Sequence, residues 1–394
     1  MFTKLFMIYL SCYSYTNELR ERIFSNYSSD DFYGNKVDLK LGLAIRSLNN
    51  IDHVDGNLET NIWLRYYWND KRLFWNESDY EQSSLIVNTH PEMEKRIWIP
   101  DIYIYNTGEK PLDQLSYTSA IVYSSGDIIW SRPGIVKSTC LFNLKNFPYD
   151  KQTCYFKFGS WSHSGDMINL TAENQIDITN FKQGEEWKII NNHVELEIKK
   201  YDCCPEPYHA VYFLIEMERM STYYVRNIIV PIFATSSLLV ISMIIPWESG
   251  ERISFTTSIM LSIIVFLLIL SDNLPKTNDV PIMSTLVIGL MFYSLAVVFI
   301  TVILSSMRNI KNEENIFTKY IFKTIAKLLS LYRTRKTDGR ERRRTISYDQ
   351  ALNEIVDNEL NQICKKYSIY IEHGATFIFT LVFIIYCLIA MFIV

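Results

Sequence analysis

The sequence predicts an extracellular all-β, immunoglobulin-like sandwich followed by a bundle of four membrane-spanning helices. Three observations support this fold class. The chain has 394 residues, long enough for two or more modules of roughly 150 residues each. Its long uncharged runs lie after residue 226, whereas the first half is polar and rich in Tyr and Trp. The formal net charge is only −4, which argues against a nucleic-acid-binding protein, because such proteins carry a strongly basic face.

The uncharged runs predict the membrane helices. A bilayer core about 30 Å thick needs about 20 apolar residues of helix, and each run reaches that length or falls one residue short. Four such runs in one half of a soluble protein would have no packing that buries them all. We therefore expect spans one to three within residues 226–307 and a fourth within residues 374–394. The runs are Asn227–Trp247, Ile253–Ser271, Val280–Met307 and Gly374–Val394.

Targeting and charge patterns set the orientation. Lys4 precedes the apolar stretch Leu5–Leu10, so residues 1–16 are expected to be a signal peptide; a short N-terminal helix is the alternative. In residues 308–373 Lys and Arg outnumber Asp and Glu, which places this segment in the cytoplasm. Residues 17–225 and the C-terminus are then extracellular, as in a multi-pass protein of the plasma membrane.

The cytoplasmic loop carries two predicted helices. Ile316–Tyr332 is amphipathic, with Lys319, Lys323 and Lys327 on one polar stripe, and is expected to lie along the membrane lipid. Residues 348–372 are expected to form a helix that leads into the last span.

The extracellular half, residues 17–225, predicts short strands. Stretches rich in Tyr, Ile, Val and Trp alternate in polarity and are separated by Asn, Asp and Gly turns, a pattern typical of a sandwich or barrel. A short helix is expected ahead of them, at Asn17–Tyr27. The strand-like stretches are Val37–Arg46, Asn61–Trp68, Ile121–Tyr123, Asp127–Trp130, Cys154–Phe158 and Tyr212–Glu218.

Four cysteines fall in the extracellular half, where an oxidising environment favours two disulfides with three possible connectivities. Cys140 and Cys154 enclose 13 residues, a loop that closes easily. Cys203 and Cys204 are adjacent, so their Cα atoms are about 3.8 Å apart, shorter than ordinary disulfide geometry. Metal binding is disfavoured, because the spacing of Cys and His does not match a zinc site.

Three Asn-x-Ser/Thr triplets also lie in the extracellular half and are candidate glycosylation sites. Such triplets are common by chance. They begin at Asn26, Asn76 and Asn169.

Several motifs resemble one family. The loop between Cys140 and Cys154, with Phe147, Pro148, Tyr149 and Asp150 at its centre, resembles the signature of the Cys-loop pentameric ligand-gated ion channels. Other stretches are similar to nicotinic acetylcholine receptor subunits of the alpha type. The similarity runs from about residue 17 to residue 394, with only the cytoplasmic loop unplaced, and it implies the disulfides Cys140–Cys154 and Cys203–Cys204. The stretches are Asn61–Leu64, Trp98–Asp101, Gly159–His163 and Tyr201–Tyr208.

The resemblance implies an agonist site made of aromatic side chains. A quaternary ammonium is recognised by aromatic faces, each worth about 0.5–2 kcal/mol. A single Tyr or Trp, taken alone, is more often a core residue, but here all the expected aromatics follow in order. The resemblance assigns the principal face to Tyr105, Trp161, Tyr201, Cys203, Cys204 and Tyr208. It assigns the complementary face, on the next subunit, to Trp63, Ile121, Ile129 and Ser131.

The expected partners follow from the same resemblance. They are a small cationic agonist, four other subunits, membrane lipid and permeant Na⁺, K⁺ and Ca²⁺, in a plasma membrane that is expected to be synaptic. One chain that carries both faces fits a homopentamer, and an obligate heteromeric subunit is the alternative. The agonist is acetylcholine or another amine such as choline or serotonin.

The second span predicts the pore. Seven residues at steps of three and four share one helical stripe, with acids at both ends, hydroxyls near the first end and apolar residues between. Five copies would give carboxylate rings at both mouths and apolar rings that gate by dewetting. The alternative is a buried helix that is apolar on all sides, which does not explain the two acids. The stripe is Glu251, Ser254, Ser258, Leu261, Val265, Leu268 and Asp272.

The residues around the start of this stripe predict a pore that is selective for cations. Anion-selective relatives carry a Pro-Ala-Arg stretch, whereas Ser249, Gly250, Glu251 and Arg252 stand here. Arg252 lies about 100° around the helix from Glu251, so it can point away from the axis. An anion channel is therefore disfavoured.

The resemblance also suggests coupling residues. Arg219, just before the first span, matches the family's pre-membrane arginine, and Asp52 is its expected partner in the facing loop. Phe147, Pro148 and Pro275 are expected to meet at the domain junction. The alternative from a different functional class is a membrane-anchored enzyme. The sequence does not favour it, because it offers neither a set of catalytic residues nor a cofactor or metal motif.

Overall fold

The computed structural model describes residues 17–32, 34, 36–93, 95–108, 113–246, 250–272, 274, 281–308 and 367–388. Among the sequence-based predictions, the signal peptide at 1–16, Pro275, the helix at Ile316–Tyr332 and most of the helix at 348–372 lie outside these residues. The chain divides into a β-sheet unit that ends at Ser221 and a helical unit that begins at Thr222.

The β-sheet unit contains the predicted strands. Each of the six predicted stretches lies within an observed strand. The observed strands are longer, because the extended backbone continues to the next turn even where the alternation of apolar and polar residues has ended. A helix at 17–24, called α1, is three residues shorter than predicted. A 3₁₀ turn at Lys71–Leu73 and α2 at Glu77–Tyr80 follow β2. The strands are β1 Val37–Asp52, β2 Asn57–Asn69, β3 Ser84–Val87, β4 Ile102–Ile104, β5 Ala120–Tyr123, β6 Asp127–Thr139, β7 Lys151–Ser160, β8 Ile168–Ala172, β9 Trp187–Tyr201 and β10 Cys204–Arg219.

The strands form two sheets, which confirms the predicted sandwich. The larger has the order β3-β5-β6-β2-β1-β8 and the smaller β4-β7-β10-β9. β8 pairs with β1 in parallel, and the other pairs are antiparallel.

Alternation along β2 shows how the sequence divides between core and surface. Ile62, Leu64 and Tyr66 are fully buried, whereas Trp63 and Arg65 point outward. Successive side chains of a strand face opposite sides of the sheet, so one face of β2 enters the core. Side chains from both sheets, including Phe156 and Phe213 of the smaller one, belong to one hydrophobic cluster. The core therefore lies between the sheets.

Within the described part of the helical unit, four helices are long and apolar enough to cross a membrane, as predicted. We call them the first to fourth apolar helices. Their bounds are Thr222–Ser242, Glu251–Asp272, Ile282–Ser305 and Tyr367–Leu388.

A wide turn interrupts the first apolar helix at Val225–Ile229, where the hydrogen bonds follow a π-helical pattern. Pro231 follows two residues later. Proline has no N–H and its ring crowds the carbonyl four residues earlier, here that of Asn227, so a local rearrangement of the helix is expected at this point.

The fourth apolar helix begins earlier than its uncharged run. It is already helical at Tyr367, the first described residue of this segment, and continues through Glu372 and His373. An uncharged run marks apolar side chains, whereas a helix needs only its backbone hydrogen bonds, so the two need not coincide.

The hydroxyl of Tyr293 in the third apolar helix donates to the Phe379 carbonyl oxygen of the fourth at 3.1 Å.

Candidate ligand-binding site and pore helix

Trp161 is the centre of an exposed aromatic cluster beside the smaller sheet. It directly follows β7, and the residue is 63% exposed. The rings of Tyr103 and Tyr105 meet it edge to face, with centroids 6.3 and 6.2 Å away. Ile102 and Ile104 are buried, so strand alternation turns both tyrosines toward the same side. Sequence reasoning missed Tyr103, although its spacing of two from Tyr105 could have revealed it.

Gly159 makes room for Tyr105. A Cβ atom at position 159 would lie 2.6 Å from the Tyr105 hydroxyl oxygen and 2.7 Å from Cζ, closer than such atoms approach. The Tyr105 hydroxyl donates to the carbonyl oxygen of Ser160. Burial, followed by the nearby Tyr201, raises the pKa of Tyr105 to about 12. Tyr105 therefore stays a neutral phenol near pH 7.

Asp101 holds the segment that carries Trp161. Its carboxylate accepts hydrogen bonds from the Ser160 hydroxyl at 2.6 Å and from the Ser162 amide at 2.7 Å, and it lies 3.0 Å from His163 Nδ1. Burial alone would raise the pKa of Asp101, but these hydrogen bonds outweigh it and lower the pKa below its ordinary value. The charged carboxylate thus fixes the chain on both sides of Trp161.

The β9–β10 hairpin brings the remaining principal residues to the same place. Tyr201 pairs with Cys204 at its tip, where the structure joins Cys203 to Cys204. The rings of Tyr201 and Tyr208 meet edge to face with centroids 5.6 Å apart. After burial, Tyr201 and, to a smaller extent, Tyr208 contribute to the raised pKa of Tyr105. The expected principal-face aromatics thus form two ring pairs, Tyr105 with Trp161 and Tyr201 with Tyr208, and their role in ligand binding stays a prediction.

The four residues of the expected complementary face lie on the other sheet. Ser131 of β6 pairs with Arg65, which is two residues along β2 from Trp63, and Ile121 pairs with Ile129 across β5 and β6. Alternation turns all four toward the outer face of the larger sheet, where Trp63 and Ile121 are each 39% exposed. One chain thus carries both sets of residues on different sheets.

The second apolar helix presents its predicted stripe on an uncovered face. All seven stripe residues are exposed, with Leu261 and Leu268 at 63% and 60%. The opposite side packs within the unit through Arg252, Thr256, Ile259, Ile263 and Leu270, which are buried. The hydroxyl of Ser258 donates to the Ser254 carbonyl oxygen at 2.8 Å, which leaves its oxygen lone pairs toward the open side.

Arg219 at the end of β10 is buried, but its carboxylate partners differ from the expectation. Its Nε lies 2.8 Å from Asp150 Oδ1 and its Nη1 lies 2.6 Å from Glu186 Oε1. Asp52, the expected partner, instead accepts hydrogen bonds from the backbone amides of Val54 and Asp55 in its own turn. Strand pairing explains these partners, because the antiparallel register brings the start of β7 and the start of β9 beside the end of β10.

Two aromatic rings lie beside the Arg219 guanidinium. The guanidinium carbon lies 4.2 Å from the Trp187 ring centroid and 5.2 Å from that of Phe147. Phe147 precedes Pro148 through a cis peptide bond in the loop that the structure closes by joining Cys140 to Cys154.

The three candidate glycosylation residues differ in their surroundings. Asn26 is exposed in the turn after α1. Asn76 is exposed and caps α2 by accepting from the Ser78 amide at 3.3 Å. Asn169 is half-buried, and its Nδ2 donates to Asp38 Oδ1 at 2.7 Å. Asn26 and Asn76 are therefore more accessible than Asn169.

Comparison with known proteins assigns both units. Residues 16–221 match the family description "Neurotransmitter-gated ion-channel ligand binding domain", and residues 228–375 match "Neurotransmitter-gated ion-channel transmembrane region". The chain belongs to the neurotransmitter-gated ion-channel family. This family consists of ligand-gated channels rather than enzymes, so the membrane-anchored enzyme considered from the sequence is set aside.

Within the family, the chain is similar to alpha subunits of acetylcholine receptors. It is 35% identical over 253 residues to acetylcholine receptor subunit alpha-L1 of Schistocerca gregaria, covering 61% of this chain and 44% of that protein. It is 36% identical over 250 residues to subunit alpha-type acr-16 of Caenorhabditis elegans, covering 63% and 49%. It is 35% identical over 268 residues to neuronal subunit alpha-2 of Gallus gallus, covering 68% and 50%. The matches therefore span about half the length of these relatives.

Proposed function

We propose that this chain is a subunit of a cation channel that opens when acetylcholine or a similar cationic amine binds between subunits. The observation that carries the proposal is the exposed cluster around Trp161, with Tyr103, Tyr105 and the tyrosines of the β9–β10 hairpin beside it. A contiguous patch of exposed aromatic side chains marks a surface that a ligand or partner covers, whereas single exposed aromatics are ordinary. A desolvated ammonium gains about 2 kcal/mol or more on such a face.

Hydrogen-bonding chemistry supports a cation as the ligand. The hydroxyl of Tyr105 is committed to the Ser160 carbonyl oxygen, and the Asp101 carboxylate is committed to the Trp161 segment. What these residues leave open is ring surface, which binds a quaternary ammonium that can neither donate nor accept ordinary hydrogen bonds.

The position of the expected complementary face supports assembly of several chains into one receptor. Trp63 and its neighbours lie on the outer face of the larger sheet, whereas the Trp161 cluster belongs to the smaller one. A site that needs both sets is completed by two chains, each giving a different face. Repeating such a head-to-tail contact closes a ring, and the family resemblance sets five members. A homopentamer has five such sites, and a heteropentamer is the alternative.

The uncovered stripe of the second apolar helix supports the pore. Exposed Glu251 and Asp272 stand at its two ends, with Leu261, Val265 and Leu268 between the Ser258 end and Asp272. Around a fivefold axis the acids form rings that favour Na⁺, K⁺ and Ca²⁺ over chloride, and the apolar rings exclude water from the closed pore.

The same proposal covers the charged cluster at Arg219, the location of the protein and its glycosylation. The buried pair Arg219 and Asp150, together with the exposed Glu186, forms a charged cluster that gives the end of the β unit two distinct arrangements when the agonist binds. The protein lies in the plasma membrane with residues 17–225 outside, and Asn26 carries a glycan. Postsynaptic membranes are where a receptor for this class of agonist acts.

Agonist-evoked current from cells that express only this chain tests the proposal. Acetylcholine, choline and serotonin are applied to the wild type, Trp161→Phe and Trp161→Ala, with surface protein measured for each. We expect Trp161→Ala to lose potency by more than Trp161→Phe, because Phe keeps a ring face. Phe74→Ala is the matched control, since Phe74 is also 63% exposed.

Two results would contradict the proposal. Equal losses in both Trp161 variants at equal surface levels would exclude a cation–π role. A loss of the same size in Phe74→Ala would show that the effect is not local to the proposed site. Absence of current from the chain alone, with current after addition of a second subunit, would select the heteromeric alternative.

A further inference from the structure

Glu251 and Arg252 are adjacent at the start of the second apolar helix but have opposite environments. Glu251 is exposed on the stripe face, whereas the Arg252 side chain is only 4% exposed. Successive residues of a helix point about 100° apart, which explains how neighbours can face different surroundings. Geometry alone does not explain why a long, charged side chain stays buried.

Glu372 of the fourth apolar helix supplies the reason. Arg252 Nη1 lies 2.5 Å from Glu372 Oε1, and the Glu372 side chain is 19% exposed. The other terminal nitrogen of Arg252 donates to the Met243 sulfur at 3.1 Å, and its Nε has no hydrogen-bond partner among the described residues. Among the residues that the structure describes, Glu372 thus supplies the carboxylate that compensates the buried guanidinium.

Loss of that carboxylate would leave the arginine charge uncompensated. A buried charge without a partner is strongly destabilising, so the guanidinium would move toward water and the nearest available carboxylate. Glu251, the preceding residue, is exposed and negatively charged. A guanidinium beside Glu251 would cancel charge in the ring that the proposed function uses to select cations.

We propose that Glu372 is a positioning residue for ion selectivity: it holds Arg252 away from the pore, so that Glu251 acts as an uncancelled negative charge. This inference rests on the proposed cation channel. It assigns a role in permeation to a residue 120 positions from Arg252 and on the fourth apolar helix, away from the stripe itself.

The test compares reversal potentials of agonist-evoked current in full-strength and diluted sodium chloride, in cells that express the full chain. We expect Glu372→Gln to move the reversal potential toward that of chloride relative to wild type. Arg252→Gln alone should keep the wild-type value, because it removes the charge that interferes. The double variant Arg252→Gln with Glu372→Gln should restore selectivity, and Glu372→Asp should retain it.

These results separate positioning from a merely structural role. Loss of packing would lower surface expression or current amplitude, but it would not shift the reversal potential and then be rescued by removal of Arg252. If Glu372→Gln alone does not reach the surface, co-expression with wild-type chain gives mixed channels whose selectivity should fall as the variant fraction rises.

A wild-type reversal potential in Glu372→Gln channels, pure or mixed, would overturn the inference. A shift that persists unchanged in the double variant would also overturn it, because Arg252 would then not be the cause. A wild-type channel that itself follows the chloride gradient would instead contradict the proposed function, so the two failures are distinguishable.

Discussion

The guanidinium carbon of Arg46 lies 4.4 Å from the ring centroid of Trp63. Arg46 occupies a bulge in β1, where the register with β2 shifts between Ile45 and Ser47, and its side chain crosses the outer face of the larger sheet. The free chain therefore already places a cation on the aromatic ring that we assign to the complementary face.

Arg46→Gln should increase the potency of a cationic agonist. The substitution removes a positive charge that competes for Trp63 and repels the ligand, and a cation–π contact at a solvent-exposed site is worth about 0.5–1 kcal/mol, so the gain is about two- to fivefold. Concentration–response curves for acetylcholine measure it. Arg46→Lys, which keeps the charge, should stay near wild type. Reduced potency in Arg46→Gln would show that Arg46 helps to hold the agonist.

Gly159→Ala should lower agonist potency without preventing assembly. The added methyl group would meet the Tyr105 ring at 2.6–2.8 Å and push it away from its edge-to-face contact with Trp161. The measurement is potency at equal surface expression. Gly108→Ala is the matched control, because a Cβ there meets no atom of the described residues within 4 Å. Equal potency in wild type and Gly159→Ala would contradict the role assigned to Tyr105.

Mild reductant should open the Cys203–Cys204 disulfide before Cys140–Cys154. Thiol exchange needs access to the sulfur, and Cys203 is exposed whereas Cys140 and Cys154 are buried. Agonist potency should fall while assembled receptors remain at the surface, and mass spectrometry of alkylated peptides identifies the opened bond. Unchanged potency after verified cleavage of Cys203–Cys204 would remove the hairpin tip from the site.

Stability of the β unit should fall with acidification through His53. Burial, and then the charge of Arg219, lower the pKa of His53 below 6.5, against the opposing effect of Glu186, Asp150 and Asp52. Because the folded state disfavours the protonated ring, its contribution is complete above the unfolded pKa and is lost as the pH falls below about 6.5.

Melting temperatures of the detergent-purified protein at about pH 7.5 and about pH 5.5 measure this effect. His53→Gln should reduce the difference between the two values, whereas His90→Gln, at an exposed position, should not. An undiminished pH dependence in His53→Gln would show that another group is responsible.

Local patterns in the sequence predicted most of the fold. Period-two alternation located the strands, as in Asn61–Trp68 within β2, and uncharged length located the apolar helices. The uncharged run alone underestimated the fourth apolar helix, whose backbone hydrogen bonds continue through the charged Glu372; the separate helix predicted over 348–372 covers this extension.

The site was predictable where motifs carry it and unpredictable where contacts are long-range. Trp161, Tyr201 and Tyr208 were expected from stretches that resemble the family, and the structure pairs the rings of Tyr201 and Tyr208 and those of Trp161 and Tyr105, while their role in binding stays a prediction. The pairing of Arg219 with Asp150 and Glu186 depends on strand register, and that of Arg252 with Glu372 on helix packing. No local pattern encodes either contact.

The reversal potential of agonist-evoked current through the wild-type chain tests the central claim most directly. Diluting extracellular sodium chloride under acetylcholine should shift the reversal potential in the direction of the cation gradient, because Glu251 and Asp272 favour cations at both mouths. In Glu251→Ala channels this shift should shrink. A wild-type current that follows the chloride gradient would contradict the account of this protein as an amine-gated cation channel.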